Sequence, residues 1–122
     1  MQKLIYIKVY KGYIEARTAG ENNERQFLSS GLNHPRSLAG EFIAVENTFK
    51  EAIAAQPKTL FGLIKPKVLV HLVPEAAGGY TELELRFFRE AALGGGAAVV
   101  YLLDSLYGPQ PDSELTDTKK WL

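Results

Sequence analysis

The chain has no cysteine among its 122 residues, and that one absence removes disulfide bridges, thiol nucleophiles and thiolate metal sites together. It also fits a reducing compartment, so the cytoplasm is the expected location. Net charge is missing as well, with 14 Lys and Arg against 14 Asp and Glu. Without a net field nothing steers the chain at long range to a nucleic acid or an anionic membrane, and neither is expected as a partner. Long apolar runs are lacking too. The one near the start, residues 4–7, is bracketed by Lys3, Lys8 and Lys11 and is too short for a signal sequence or a membrane span. Histidine is scarce: His34 falls in a proline-containing loop and His71 inside an apolar strand pattern, and neither has His, Asp or Glu at ligand spacing. No metal and no cofactor is expected.

What is present is a composition of 46% hydrophobic and 23% charged residues, which at this length describes one soluble globular domain. β-Branched and aromatic residues cluster over 4–10 and 13–18, with Lys11-Gly12 between them as a tight turn. A second turn at 20–23 leads to a short third strand over 25–29, which completes an antiparallel meander. Helical spacing then takes over, since Phe42, Val45, Phe49 and Ile53 share one face and Pro57 stands where the helix should stop. Residues 59–64 are an apolar connector. Residues 67–73, nearly free of polar groups, predict a buried strand. Thr81 and Glu84 form a T-x-x-E capping box that opens a second helix to about Leu93, and residues 98–103 form a last strand. The order is β-β-β-α-β-α-β over a domain of residues 1–104, an α/β (α+β) pattern. Residues 105–122 make a C-terminal tail, expected to be mobile or to form a short helix over 113–122.

Two glycine-rich stretches invite a phosphate-binding reading. Gly94, Gly95 and Gly96 follow a helix and precede a strand, which presents carbonyls and partial negative charge, so they are expected to cap the helix instead. Gly78 and Gly79 lie between strand and helix with the right polarity, but the loop lacks a Lys-Ser/Thr ending and carries Glu75, which opposes an anion. Ser29-Ser30-Gly31 is no nucleophile elbow. No catalytic constellation emerges.

Residues 42–104 resemble the first subdomain of MreB, the bacterial actin. The segment "TELELRFFREAALGGGAAVVYLLD" follows that family's pattern at Thr81, Glu84, Arg86, Arg89, Glu90, Ala91, Ala92, Gly96, Ala97, Val100 and Leu102, and "KPKVLVHLVP" follows its strand approach. The whole chain is also similar to small stand-alone bacterial proteins of the YjaA type, through Arg36, Leu38, Phe42 and Glu46. The resemblance implies an actin-like, ribonuclease-H-like five-stranded mixed sheet of order 3-2-1-4-5. It does not imply ATPase activity. The family's first phosphate turn, Asp-x-Gly-Thr, is replaced here by "IKVYKGY", with Lys8 in place of the acid and Tyr10 in place of the glycine. The later phosphate and adenosine motifs have no counterpart in these residues. Lys8 also opposes a ribonuclease-H metal site.

With that strand order both helices fall on one face of the sheet. Ile5, Ile7, Val9, Ile14, Ala16, Val68, Val70 and Leu72 form the apolar set suited to them. The opposite set, Tyr6, Lys8, Tyr10, Glu15, Arg17, Leu69, His71 and Tyr101, mixes aromatic, aliphatic and charged groups and is the candidate interface. Two readings of it stay open: cover by Leu115, Trp121 and Leu122 of the tail, or a surface for a protein partner or homodimer. A non-catalytic interaction domain is the expected function. The alternative is a small-ligand binder or enzyme using the loops at the strand C-terminal ends, around Pro74, Gly78, Gly79, Tyr80 and Asp104.

Overall fold

In the computed structural model, residues 3–34, 37–57, 64–115 and 121 are described. Most of the 59–64 connector, Arg36, and all but residues 113–115 and 121 of the expected tail helix lie outside them. Five strands form a single sheet of order β3-β2-β1-β4-β5, as expected. β1 (Leu4–Tyr10), β2 (Tyr13–Thr18) and β3 (Arg25–Leu28) are the antiparallel meander. β4 (Lys67–Leu72) and β5 (Val99–Leu103) join parallel to β1 and to each other. α1 (Phe42–Ala54) and α2 (Glu82–Gly94) are the two crossovers.

Strand alternation places Ile5, Ile7, Val9, Ile14, Ala16, Val68, Val70 and Leu72 in one buried cluster with Val45, Phe49 and Ala52 of α1 and Phe88, Ala91 and Ala92 of α2. Both helices therefore cover the same face. At the start of α2 the Thr81 hydroxyl accepts the Glu84 amide at 3.1 Å, and the Glu84 carboxylate accepts the Thr81 amide at 2.8 Å. The capping box thus satisfies two of the helix's orphan donors.

The glycine triplet closes the same helix. The Gly96 amide bonds to the Leu93 carbonyl and the Ala97 amide to that of Ala92, the paired bonds of a Schellman ending, with Gly96 at φ +117°. Gly95 also sets the distance between the helices. A Cβ there would lie 3.0 Å from the Lys50 amide nitrogen and 3.1 Å from the Phe49 Cβ, so its absence lets α2 approach α1. The triplet turns a corner and lets two helices touch.

Among the described residues, no α-helix covers the second face of the sheet. Residues 105–115 lie along it as a strap, ending in a short 3₁₀ turn at Asp112–Glu114, and Trp121 rests against Tyr101 with ring centroids 4.9 Å apart. Leu115 joins Tyr6, Leu69 and Leu103 in a second, smaller core beneath the strap.

Candidate functional site

The register sorts the second face into cross-strand rows. Tyr6 stands opposite Arg17 on β2 and Leu69 on β4, while Lys8 stands opposite Glu15 and His71. Glu15 in turn pairs with Gln26 on β3. At the far end Tyr10 pairs with Tyr13, and Tyr13 with Leu28. The strap crosses only part of this surface and divides it in two.

The covered half is closed by hydrogen bonds as well as apolar contact. The Tyr6 hydroxyl lies 2.6 Å from His71 Nδ1 and accepts the Gln110 amide at 2.9 Å. His71 Nε2 lies 3.0 Å from the Tyr107 carbonyl oxygen. Arg17 donates to the Gln110 carbonyl at 3.0 Å and pairs with Asp112. Its guanidinium also sits over the Tyr6 ring, 5.5 Å from the centroid. Burial pushes the Tyr6 phenol up to about 12, against the Gln110 amide, which acts to lower it. Burial likewise lowers His71, against the Tyr107 and Asp104 main-chain groups and the Asp104 charge, which act to raise it.

Tyr6, Leu69 and His71, members of the candidate interface for which cover by the tail and a partner surface were both open readings, are therefore buried in their own chain. The reason is physical: a sheet face bearing Tyr6, Leu69 and Leu103 needs apolar cover, and the strap delivers Leu115 to it. Tyr101 remains half-buried beneath Trp121, and Arg17 is half-buried and held by the strap.

Lys8, Tyr10 and Glu15 lie in the half the strap leaves uncovered. Lys8 bridges Glu15 at 3.5 Å and Glu24 at 3.2 Å. Burial pulls its ammonium down in pKa, and the contact with Glu24, aided by Tyr10 and Glu15, more than reverses this. Tyr10 stacks on Tyr13 with centroids 4.9 Å apart and planes 14° from parallel, and Leu28 beside them is 80% exposed. Sequence reasoning on the second face passed over Tyr13, Gln26 and Leu28. The signal for Tyr13 was available, since a two-residue turn at Lys11-Gly12 sets it directly across from Tyr10.

The alternative loop site is partly assembled. Two hollows, of about 420 Å³ and 280 Å³, flank Tyr80. Pro74, Gly79 and Tyr80 line the larger, and Gly79, Tyr80 and Asp104 the smaller; Gly78 lines neither. Their polar groups are largely turned on one another. Lys11 donates to the His34 and Ser37 carbonyls, the Tyr80 hydroxyl donates to the Pro74 carbonyl, and Glu84 accepts from Ser37 at 2.6 Å. Burial, with the charges of Glu84 and Asp104, pushes the Tyr80 phenol up to about 12. Glu75, Glu84 and Asp104 give these hollows an acidic rim that opposes phosphate. Among the described residues there is no group of three or more His, Cys, Asp or Glu that could hold a metal ion, and no helix long and apolar enough to cross a membrane.

No family model and no curated protein matches the chain. A solved structure does: MreB 5 of Spiroplasma citri bound to AMPPNP, at 14% identity and a TM-score of 0.55, over 85% of this chain and 39% of that one. The present chain thus spans about two fifths of that protein's length, and the likeness is one of fold: an actin-like subdomain, a five-stranded mixed sheet with two helices.

Proposed function

We propose that this chain is a non-catalytic, cytoplasmic protein-interaction domain built on an actin-like subdomain without its nucleotide site, and that its binding surface is the uncovered half of the second sheet face. The partner is a second copy of the chain or a cytoskeletal or other protein. Kinship with small stand-alone bacterial proteins of the YjaA type belongs to the same reading and rests on the sequence run from Arg36 to Glu46.

The observation that carries it is the row Tyr10, Tyr13 and Leu28. Two stacked tyrosines and an exposed leucine lie in line across three strands, beside the polar row Lys8, Glu15 and Gln26. An aromatic centre next to a polar rim is the composition of a protein-binding hot spot. The turn where the family resemblance puts a phosphate instead holds Lys11 against main-chain carbonyls.

Sedimentation over a range of concentrations, with pull-down from cytosol, tests the reading. Substituting Tyr10→Ser, Tyr13→Ser and Leu28→Ser together should weaken association at least roughly 30-fold, the equivalent of one hot spot of about 2 kcal/mol. Association unchanged by the triple substitution removes the surface from consideration. A small-ligand site has the hollows beside Tyr80 in its favour; saturable shifts of the Gly79 amide on titration with nucleotides or common metabolites would select that reading instead.

A further inference from the structure

We infer that His71 is a proton-operated latch on the strap: neutral imidazole holds residues 107–112 against the sheet, and protonation releases them and uncovers the rest of the second face. The latch does not depend on any partner for the uncovered half.

The Tyr107 carbonyl oxygen can only accept, so His71 Nε2, 3.0 Å away, must carry a hydrogen. In a neutral ring Nδ1 is then a bare lone pair, and the Tyr6 hydroxyl 2.6 Å from it must donate. That fixes the hydroxyl oxygen as the acceptor for the Gln110 amide at 2.9 Å. The result is a directed chain from Gln110 N–H to Tyr6 O–H to His71 and on to the Tyr107 carbonyl. Its two ends are both main chain of the strap, and its two middle members are side chains of β1 and β4.

A second proton on the ring reverses one link. Nδ1–H then faces O–H across 2.6 Å, and the hydroxyl must turn its hydrogen elsewhere. Among the described residues, its hydrogen-bond partners are His71 and the Gln110 amide, and neither can then accept. A buried hydroxyl without an acceptor and a buried cation both oppose the closed strap.

The surrounding charges decide which state is favoured. On β1, Lys8 faces the ring and its ammonium lies 5.9 Å from the Tyr6 centroid; on β2, Arg17 lies over the same ring. Asp104, just after β5, acts in favour of the imidazolium. Glu15 and Glu24 are engaged with Lys8, and Asp112 with Arg17. Burial, the largest influence, favours the neutral ring. His71 is lowered in the closed state, so the latch is at full strength above the ordinary imidazole value of about 6.5 and weakens as pH falls below it. The Arg17 contact holds the Asp112 carboxyl below its ordinary range, so that pair stays charged across the same interval.

The test uses the full chain and its single tryptophan, which packs on Tyr101 when the strap is closed. Between pH 7.5 and 5.0 the Trp121 emission should move to the red and its quenching by acrylamide should rise. Amide protection should be lost at Gln110 and kept at Ile7. His71→Gln should abolish the transition, and His34→Gln should leave it in place. Emission and Gln110 protection that do not change with pH, or a transition that survives His71→Gln or disappears with His34→Gln, overturn the inference. If His71→Gln does not fold, nitrogen-15 spectra of the wild-type imidazoles decide. An Nε2–H tautomer at pH 7.5, titrating together with the Trp121 shift, supports the latch; an Nδ1–H tautomer, or titration at a different pH from the shift, sinks it.

Discussion

Leu115→Ala is the substitution that weighs the strap most directly. Leu115 is 1% exposed, and the Tyr6, Leu69 and Leu103 side chains around it are equally closed off. Truncating a leucine in such surroundings costs about 2–5 kcal/mol, with the spread set by how far the site can collapse. Here one wall is a strap flanked by exposed residues, free to settle towards the sheet, which places the expected loss near the low end, about 2–3 kcal/mol. For a domain with a total stability of roughly 5–15 kcal/mol this is a large share, and the melting temperature should fall by roughly 10 °C. Urea unfolding followed by far-ultraviolet circular dichroism and by Trp121 emission provides the measurement. Emission should change at lower urea than the dichroism does, because the strap can detach while the sheet keeps its own core. A loss below about 1 kcal/mol with the two probes still coincident would show that Leu115 is not seated as described, and the division of the second face would fall with it.

The capping box predicts a loss of about 1 kcal/mol for Thr81→Ala and close to none for Thr81→Ser, read from urea midpoints. Gly96→Ala, at a φ of +117°, and Gly78→Ala, at a φ of +77°, should each destabilise by about 1 kcal/mol or more through backbone strain, since a Cβ at Gly96 meets only Ile53 at an ordinary 3.8 Å and one at Gly78 meets open space. Glu84 is held below its ordinary value by the Ser37 hydroxyl first and the Thr81 amide second, so its contribution is present above pH about 4.5 and lost as pH falls through its lowered value. Ser37→Ala should move the Glu84 titration upward in a carboxyl-carbon nuclear magnetic resonance experiment, and an unmoved titration would discount that hydrogen bond.

Helix caps and face membership were legible because each is carried by residue type at short range, whereas the sheet order came only from what the family resemblance implies. Alternation from Ile5 to Val9 and from Ile14 to Ala16 sorts inside from outside, and Thr81 with Glu84 marks a helix start. The cover of the second face was not legible to the same depth. Leu115 and Trp121 could be named as candidates, but Tyr6 and His71 find their polar partners in the Gln110 amide and the Tyr107 carbonyl. Main-chain groups are the same in every residue, so no composition or spacing announces them. The same limit hid the self-satisfied state of the loop site, where the Pro74, His34 and Ser37 carbonyls take up the Tyr80 and Lys11 donors. Leu28 was missed for another reason: membership of the exposed row depends on the register of a four-residue edge strand.

The strap's receptor is assembled from distant parts of the chain, with Tyr6 of β1 meeting Gln110 across 104 positions and Arg17 of β2 meeting Asp112 across 95. Such contacts close very large loops and reward the chain only once β1, β2 and β4 are already side by side. Docking of the strap is accordingly a late event on the folding route. Substitutions in it should quicken unfolding far more than they slow folding, and the nascent sheet must pass through a stage in which both halves of its second face are bare.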